Sequence, residues 1–263
     1  MAYLVVICPL KANENTAEKS IDLRLEFIVL NSDKLVDTML LNINGPFLYD
    51  YFGMYDYEIS RISRKGNVFH RIQVPELSPY KQQKLSVTIT VSNLYGRYEV
   101  EGDLDSYLYN KGPLSFLQNE VVIESLKKYQ ALKLISDWIQ RNIAVGGYYK
   151  EIRKLEWTLK NKKGDCTEQA MLMVAMAREA GMPARVMGGY IMEKSGRVFA
   201  KDYHNWAEVY VDDRWIIVDP YYRVFDDGYD KYIAMQIVDY DDPNAENRRF
   251  WIEGAEGVTV IML

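Results

Sequence analysis

The chain has 263 residues, 48% hydrophobic and 26% charged, a composition that excludes general disorder. A net charge of −5 leaves no basic excess to displace counterions from a phosphate backbone, so nucleic acid is excluded as a partner class. Two cysteines, Cys8 and Cys166, cannot build a disulfide framework, and two histidines, His70 and His204, leave few places for imidazole chemistry.

The first ten residues are apolar but broken by Pro9, too short to cross a bilayer and without a basic flank. They read as a β-strand, and the chain as cytoplasmic with neither signal peptide nor membrane segment. In residues 20–29 apolar side chains alternate with Asp22, Arg24 and Glu26, and residues 85–92 alternate as strictly. Period two with one apolar face marks half-buried antiparallel strands. Further strand candidates lie at 36–44, 55–62 and 67–74, between turn signals at Asn44-Gly45-Pro46, Lys65-Gly66-Asn67 and Pro75 to Pro79. Residues 1–110 therefore read as a β-sandwich-like domain of about seven short strands. His70, flanked by polar turn residues, reads as a surface side chain.

The pattern becomes helical from Leu117. Leu132, Ile135, Trp138 and Ile139 share one stripe, and residues 155–159 suggest a second short helix. A third begins after Asp165 and ends at Gly181 and Pro183. Strands are expected at 184–193, 204–211, 214–219 and 231–238, with a last β pair at 248–252 and 257–263. Residues 111–263 thus read as an α+β domain. The acidic pairs around Asp226-Asp227 and Asp239 to Asp242 lack the sixth-position glycine of an EF-hand and read as solvated loops.

Cys166 stands at the first helical position behind Asp165, a natural N-cap, where orphan amides and the helix dipole favour a thiolate. Ala170, Met173 and Ala177 lie below it on the same stripe, small enough for close packing on a sheet. If 204–211 and 214–219 form a hairpin turning on Asp212-Asp213, Trp206 faces Asp219. His204 then lies diagonal to Asp219, roughly 7–8 Å away at the backbone and within side-chain reach. A slip of one residue would separate them onto opposite faces. Nucleophile, base and orienting carboxylate would then be Cys166, His204 and Asp219.

Four blocks carry a resemblance: Lys163-Gly164-Asp165-Cys166-Thr167-Glu168, the run from Arg178 through Gly181-Met182-Pro183 to Val186, His204-Asn205-Trp206-Ala207-Glu208-Val209, and Trp215-Ile216-Ile217-Val218-Asp219-Pro220. In this order and spacing they strongly resemble the transglutaminase-like superfamily over about residues 120–240. The resemblance implies a papain-like core in which a cysteine-bearing helix packs on antiparallel strands carrying the histidine and aspartate. It implies thiol-dependent acyl transfer on a peptide or protein amide, with no cofactor and no metal. Hydrolysis is the default because water needs no second pocket; glutamine crosslinking or deamidation and a non-catalytic scaffold on the same core stay open. The zinc-binding cysteine pairs of glycanase relatives are absent, since only Cys8 remains. The Cys166 amide is the expected first oxyanion donor, with Trp138, Trp157, Tyr148 or Tyr149 as candidates for a second. Trp206 is a further candidate at the substrate, more in keeping with shielding the triad.

Overall fold

The computed structural model describes residues 20–263 apart from 33–34, 37–38, 46–49, 55–58, 65–66, 75, 93–103, 109–125, 149–150, 241–246 and 255. The expected first strand, Cys8, Tyr149, the helical onset at Leu117 and the boundary near residue 110 lie outside the described residues.

The strands of the first part are β1 (Ile21–Asn31), β2 (Met39–Gly45), β3 (Asp50–Met54), β4 (Ile59–Arg64), β5 (Asn67–Val74) and β6 (Gln82–Ser92). They are followed by α1 (Lys128–Asn142), β7 (Ala144–Val145), α2 (Leu155–Asn161), β8 (Lys163–Gly164) and α3 (Cys166–Glu179). The last part holds β9 (Ala184–Ile191), β10 (Gly196–Arg197), β11 (His204–Val211), β12 (Arg214–Asp219), β13 (Val224–Phe225), β14 (Tyr232–Val238), β15 (Phe250–Glu253) and β16 (Val258–Met262). The fold class is α+β, as the sequence pattern indicates. No helix among the described residues is long and apolar enough to cross a membrane.

The alternation read in β1 and β6 has the expected consequence. Ile21, Leu23, Leu25, Phe27 and Val29 are buried, while Asp22 and Arg24 face water. β1 pairs antiparallel with β6 along most of its length, and β3 follows on the far side of β6. A second antiparallel sheet runs β15-β2-β5-β4. Leu41, Ile43 and Ile72 of that sheet share one apolar core with β1 and β6. Fully burying each such side chain is worth about 1.5–3 kcal/mol.

Residues 248–263 depart from the expected β pair. β15 joins β2 and β16 joins β1, so the two terminal strands enter different sheets instead of bonding each other. The apolar positions of each match an open edge elsewhere, which outweighs their nearness in sequence. His70 is also corrected. It is buried in β5 between Ile43 and Arg61, where the missing Cβ of Gly45 leaves space that any larger residue would fill.

A third sheet has the order β13-β12-β11-β9-β14. One face of it receives α3 through Ala184, Val186, Ala207, Val209, Ile216 and Val218. Met187, Trp206, Tyr232 and Ile233 of this sheet join the core of the first two sheets. β14 lies at the margin of this sheet, and Asn67 closes it. The Asn67 amide donates to the Ile237 carbonyl at 2.9 Å and its oxygen accepts from the Ile237 N–H at 2.6 Å, as an adjoining strand would. Asn44 bonds Gln236 beside it.

Asp226 is likewise no solvated loop carboxylate. Arg214 grips both its oxygens at 2.6 Å, and the hydroxyls of Tyr129 and Tyr229 donate to it at 3.0 and 2.8 Å. The guanidinium foremost, and these hydroxyls, hold its carboxyl below the usual range. Asp226 therefore ties α1 to the β12–β14 region.

Candidate active site

The helix start that presents Cys166 is fixed from three sides. Asp165 caps α3, its carboxylate accepting from the Thr167 N–H at 2.8 Å, and Glu168 reaches back to accept from the Asp165 N–H at 2.9 Å. The second oxygen of Glu168 accepts from the Arg153 N–H at 2.9 Å, anchoring the incoming loop. Burial foremost raises the Glu168 carboxyl above its usual range. Before the cap, the parallel bonds of β7 and β8 and the Gly146 N–H on the Gly164 carbonyl at 2.7 Å hold the backbone. Cys166 itself is half-buried, while Ala170, Met173 and Ala177 beneath it are fully buried against the sheet. The capping box uses the amides of Asp165 and Thr167 and not that of Cys166. Replacing Asp165 with alanine is expected to lower stability by about 1 kcal/mol, whereas asparagine retains most of it; denaturant titration of the two variants checks this.

The hairpin has the register that the sequence implies. Val211 faces Arg214 and Ala207 faces Val218, and both turn residues, Asp212 and Asp213, take left-handed φ of 52° and 60°. Two successive left-handed residues match the twist of the flanking strands, and aspartate tolerates the conformation. His204 and Asp219 thereby come together at the same end of the sheet. The imidazole Nε2 lies 2.7 Å from Asp219 Oδ2, with both side chains buried. A carboxylate only accepts, so Nε2 carries the proton and donates. That leaves Nδ1 for the thiol.

Cys166 and His204 line the same cleft, and the thiol is among the groups that act on the ring. Burial works against the charged imidazolium, but the hydrogen bonds to Asp219 and Cys166, with the charges of both, prevail and push the His204 pKa up to about 9. The ring is enclosed by aromatics. Trp206 stacks at 6.4 Å with planes 16° apart, and Tyr222 and Tyr221 stand at 4.7 and 5.7 Å.

Several partners of this constellation escape sequence reading. Asn205 donates to Thr167 Oγ1 at 2.9 Å and to the Tyr240 hydroxyl at 3.0 Å, pinning the start of β11 to the first turn of α3. Gly189 on β9 faces His204, and a Cβ there would strike the Ile233 carbonyl and approach Trp206. Asp219 receives two donors besides His204: the Tyr232 hydroxyl on Oδ2 at 2.7 Å and the Tyr222 N–H on Oδ1 at 3.2 Å. The only sequence signal for Tyr232 is a tyrosine opening a strand, which is too common to single out.

Cys166 and His204 open on a cleft of about 690 Å³ walled by Tyr148, Tyr221 and Tyr222, with Glu193, Lys201 and Lys231 further along. Of the candidates for the substrate, Tyr148 sits on its rim, 83% exposed. Trp138 and Trp157 do not line it; they are half-buried on α1 and α2 under Lys162 and Arg153. Trp206 is fully buried behind His204 and does not line the cleft either.

Residues 116–220 match the Transglutaminase-like superfamily. Comparison with curated proteins finds no match. Among solved structures, a candidate cysteine protease from Cytophaga hutchinsonii superposes with a TM-score of 0.58 at 17% identity, over 94% of this chain and 91% of that one. The periplasmic domain of TgpA from Pseudomonas aeruginosa gives 0.43 at 16% identity, over 76% and 88% of the two chains. The likeness to the Cytophaga protein extends through the β-rich first part as well as the matched region, so the whole architecture, and not the α/β core alone, is shared.

Proposed function

We propose, from the match of residues 116–220 to the Transglutaminase-like superfamily, that this chain catalyses thiol-dependent acyl transfer on peptide or protein amides, with water as acceptor. Cys166 is the nucleophile, His204 the acid and base, and Asp219 the carboxylate that orients the ring. The observation that carries this reading is the arrangement at one cleft mouth. The thiol and the imidazole line one cleft, and a ring nitrogen is held at 2.7 Å by a buried carboxylate.

In the forward step the Cys166 sulfur attacks the amide carbonyl and the oxygen takes up the negative charge, facing the Cys166 N–H at the helix mouth. The C–N bond then breaks as imidazolium delivers its proton to the departing amine, leaving a thioester. Neutral His204 next removes a proton from water, hydroxide adds to the thioester, and the C–S bond breaks to release a carboxylic acid and the thiolate. Asp219 fixes the ring throughout with Nε2 protonated. The cleft opens to solvent beside the nucleophile, which suits water as acceptor.

The test is a panel of fluorogenic peptide amides assayed with and without iodoacetamide, run beside incorporation of a labelled primary amine into a glutamine-bearing protein. Iodoacetamide-sensitive release of the fluorophore without amine incorporation is expected. Amine incorporation in place of hydrolysis would assign a crosslinker. No thiol-dependent turnover in either assay would leave a binding scaffold.

A further inference from the structure

Two donors converge on one oxygen of Asp219. His204 Nε2 and the Tyr232 hydroxyl both lie 2.7 Å from Oδ2, while Oδ1 accepts from the Tyr222 N–H. Tyr232 comes from β14, which is separated from β12 by β11 and β9, so its hydroxyl reaches Asp219 from across the sheet. Its ring is itself wedged against Trp206 at 5.1 Å, the residue stacked on His204. The carboxylate, buried to 1% exposure, is thus held by donors from both flanks.

We infer that Tyr232 is a positioning residue for the Cys166–His204 pair, acting through Asp219 by sharing the carboxylate oxygen that holds the imidazole. This rests on the triad assigned above and adds a fourth member to it. The sharing has two effects. The hydroxyl stops the carboxylate turning away from the ring, and it draws off part of the charge on Oδ2 that retains the Nε2 proton. Removing it leaves a buried acceptor site unfilled and concentrates that charge on the imidazole.

The titratable groups facing the ring are Cys166 from α3, Asp219 with Tyr221 and Tyr222 at the end of β12, and Tyr232 from β14. The three tyrosines are held above the ordinary phenol range, by burial foremost, so Tyr232 remains a donor wherever His204 titrates. With only two histidines in the chain, the His204 titration can be followed directly by NMR of protein carrying ¹³C-labelled histidine.

In Tyr232→Phe the His204 midpoint is expected to rise by roughly half a unit or more. Hydrolysis should fall about tenfold in kcat with KM little changed, the size of one lost hydrogen bond to a charged group. Incorporation of 3-fluorotyrosine at position 232 keeps the ring and strengthens the donor, so it should lower the midpoint even if the phenylalanine variant folds poorly. Tyr229→Phe, which removes a hydroxyl bound to Asp226, should leave the midpoint in place. A His204 midpoint unmoved by both changes at Tyr232 overturns this inference. Shifted midpoints in a protein that hydrolyses no amide would overturn the assigned reaction and leave the role of Tyr232 standing.

Discussion

Cys166→Ala and His204→Ala are each expected to reduce amide hydrolysis by about 10⁴-fold or more, and the double variant to be no worse than either alone. In the proposed reaction the two side chains act as a unit: without sulfur no thioester forms, and without the imidazole the thiol lacks both its activator and the acid that expels the amine. Once one is gone, the other has nothing left to accelerate. Steady-state rates of the three variants on a substrate found in the peptide panel give the comparison. Cys166 is half-buried at a helix start and contributes little to the core, so melting of Cys166→Ala should follow the parent closely. A Cys166→Ala protein that keeps full turnover would remove the assignment of the nucleophile. Additive losses in the double variant would mean that the residues work separately.

The second large effect concerns stability. Arg185 on β9 and Glu208 on β11 face each other directly, with Nε and Nη2 of the guanidinium at 3.0 and 2.7 Å from one carboxylate oxygen. Their side chains are only 7% and 2% exposed, and the guanidinium lies 3.9 Å over the ring of Trp215. Glu208→Ala strands a desolvated cation and is expected to cost about 3–5 kcal/mol. That is a large share of the roughly 5–15 kcal/mol by which domains are stable. Replacing both, as Arg185→Met with Glu208→Leu, should lie much closer to the parent, because nothing charged is left behind. Chemical denaturation of the single and double variants measures this, and equal losses in both would show that the pair is attractive enough to outweigh its desolvation. Both residues fall inside motif blocks that carry the family resemblance, so part of what those blocks encode is a structural framework.

What could be read from the sequence was what short-range chemistry decides. The capping box at Asp165 and Glu168 spans three residues, and the hairpin register depends on two aspartates that accept left-handed backbone. From these alone Cys166 is placed at a helix mouth and His204 beside Asp219. The residues that complete the surroundings arrive over long distances. Tyr232 reaches Asp219 from a strand bonded to β9, and Asn205 ties down Thr167 across 38 positions. Nothing in the local pattern of either segment records the partner. For His70 and Asp226 polar neighbours suggest solvent, whereas Gly45 and Arg214, on other strands, supply the space and the charge that hold them. The terminal strands followed suit, each finding an edge set by elements some two hundred residues earlier.

Asn67 has a consequence beyond the protomer. A row of unpaired amides on β14 would be a template onto which an extended segment of another copy could graft, and repetition of that graft would build a fibre. One carboxamide, answering both polar groups of Ile237, blocks such a graft at that position. Loss of the side chain at position 67 is therefore expected to show as self-association in concentrated solution.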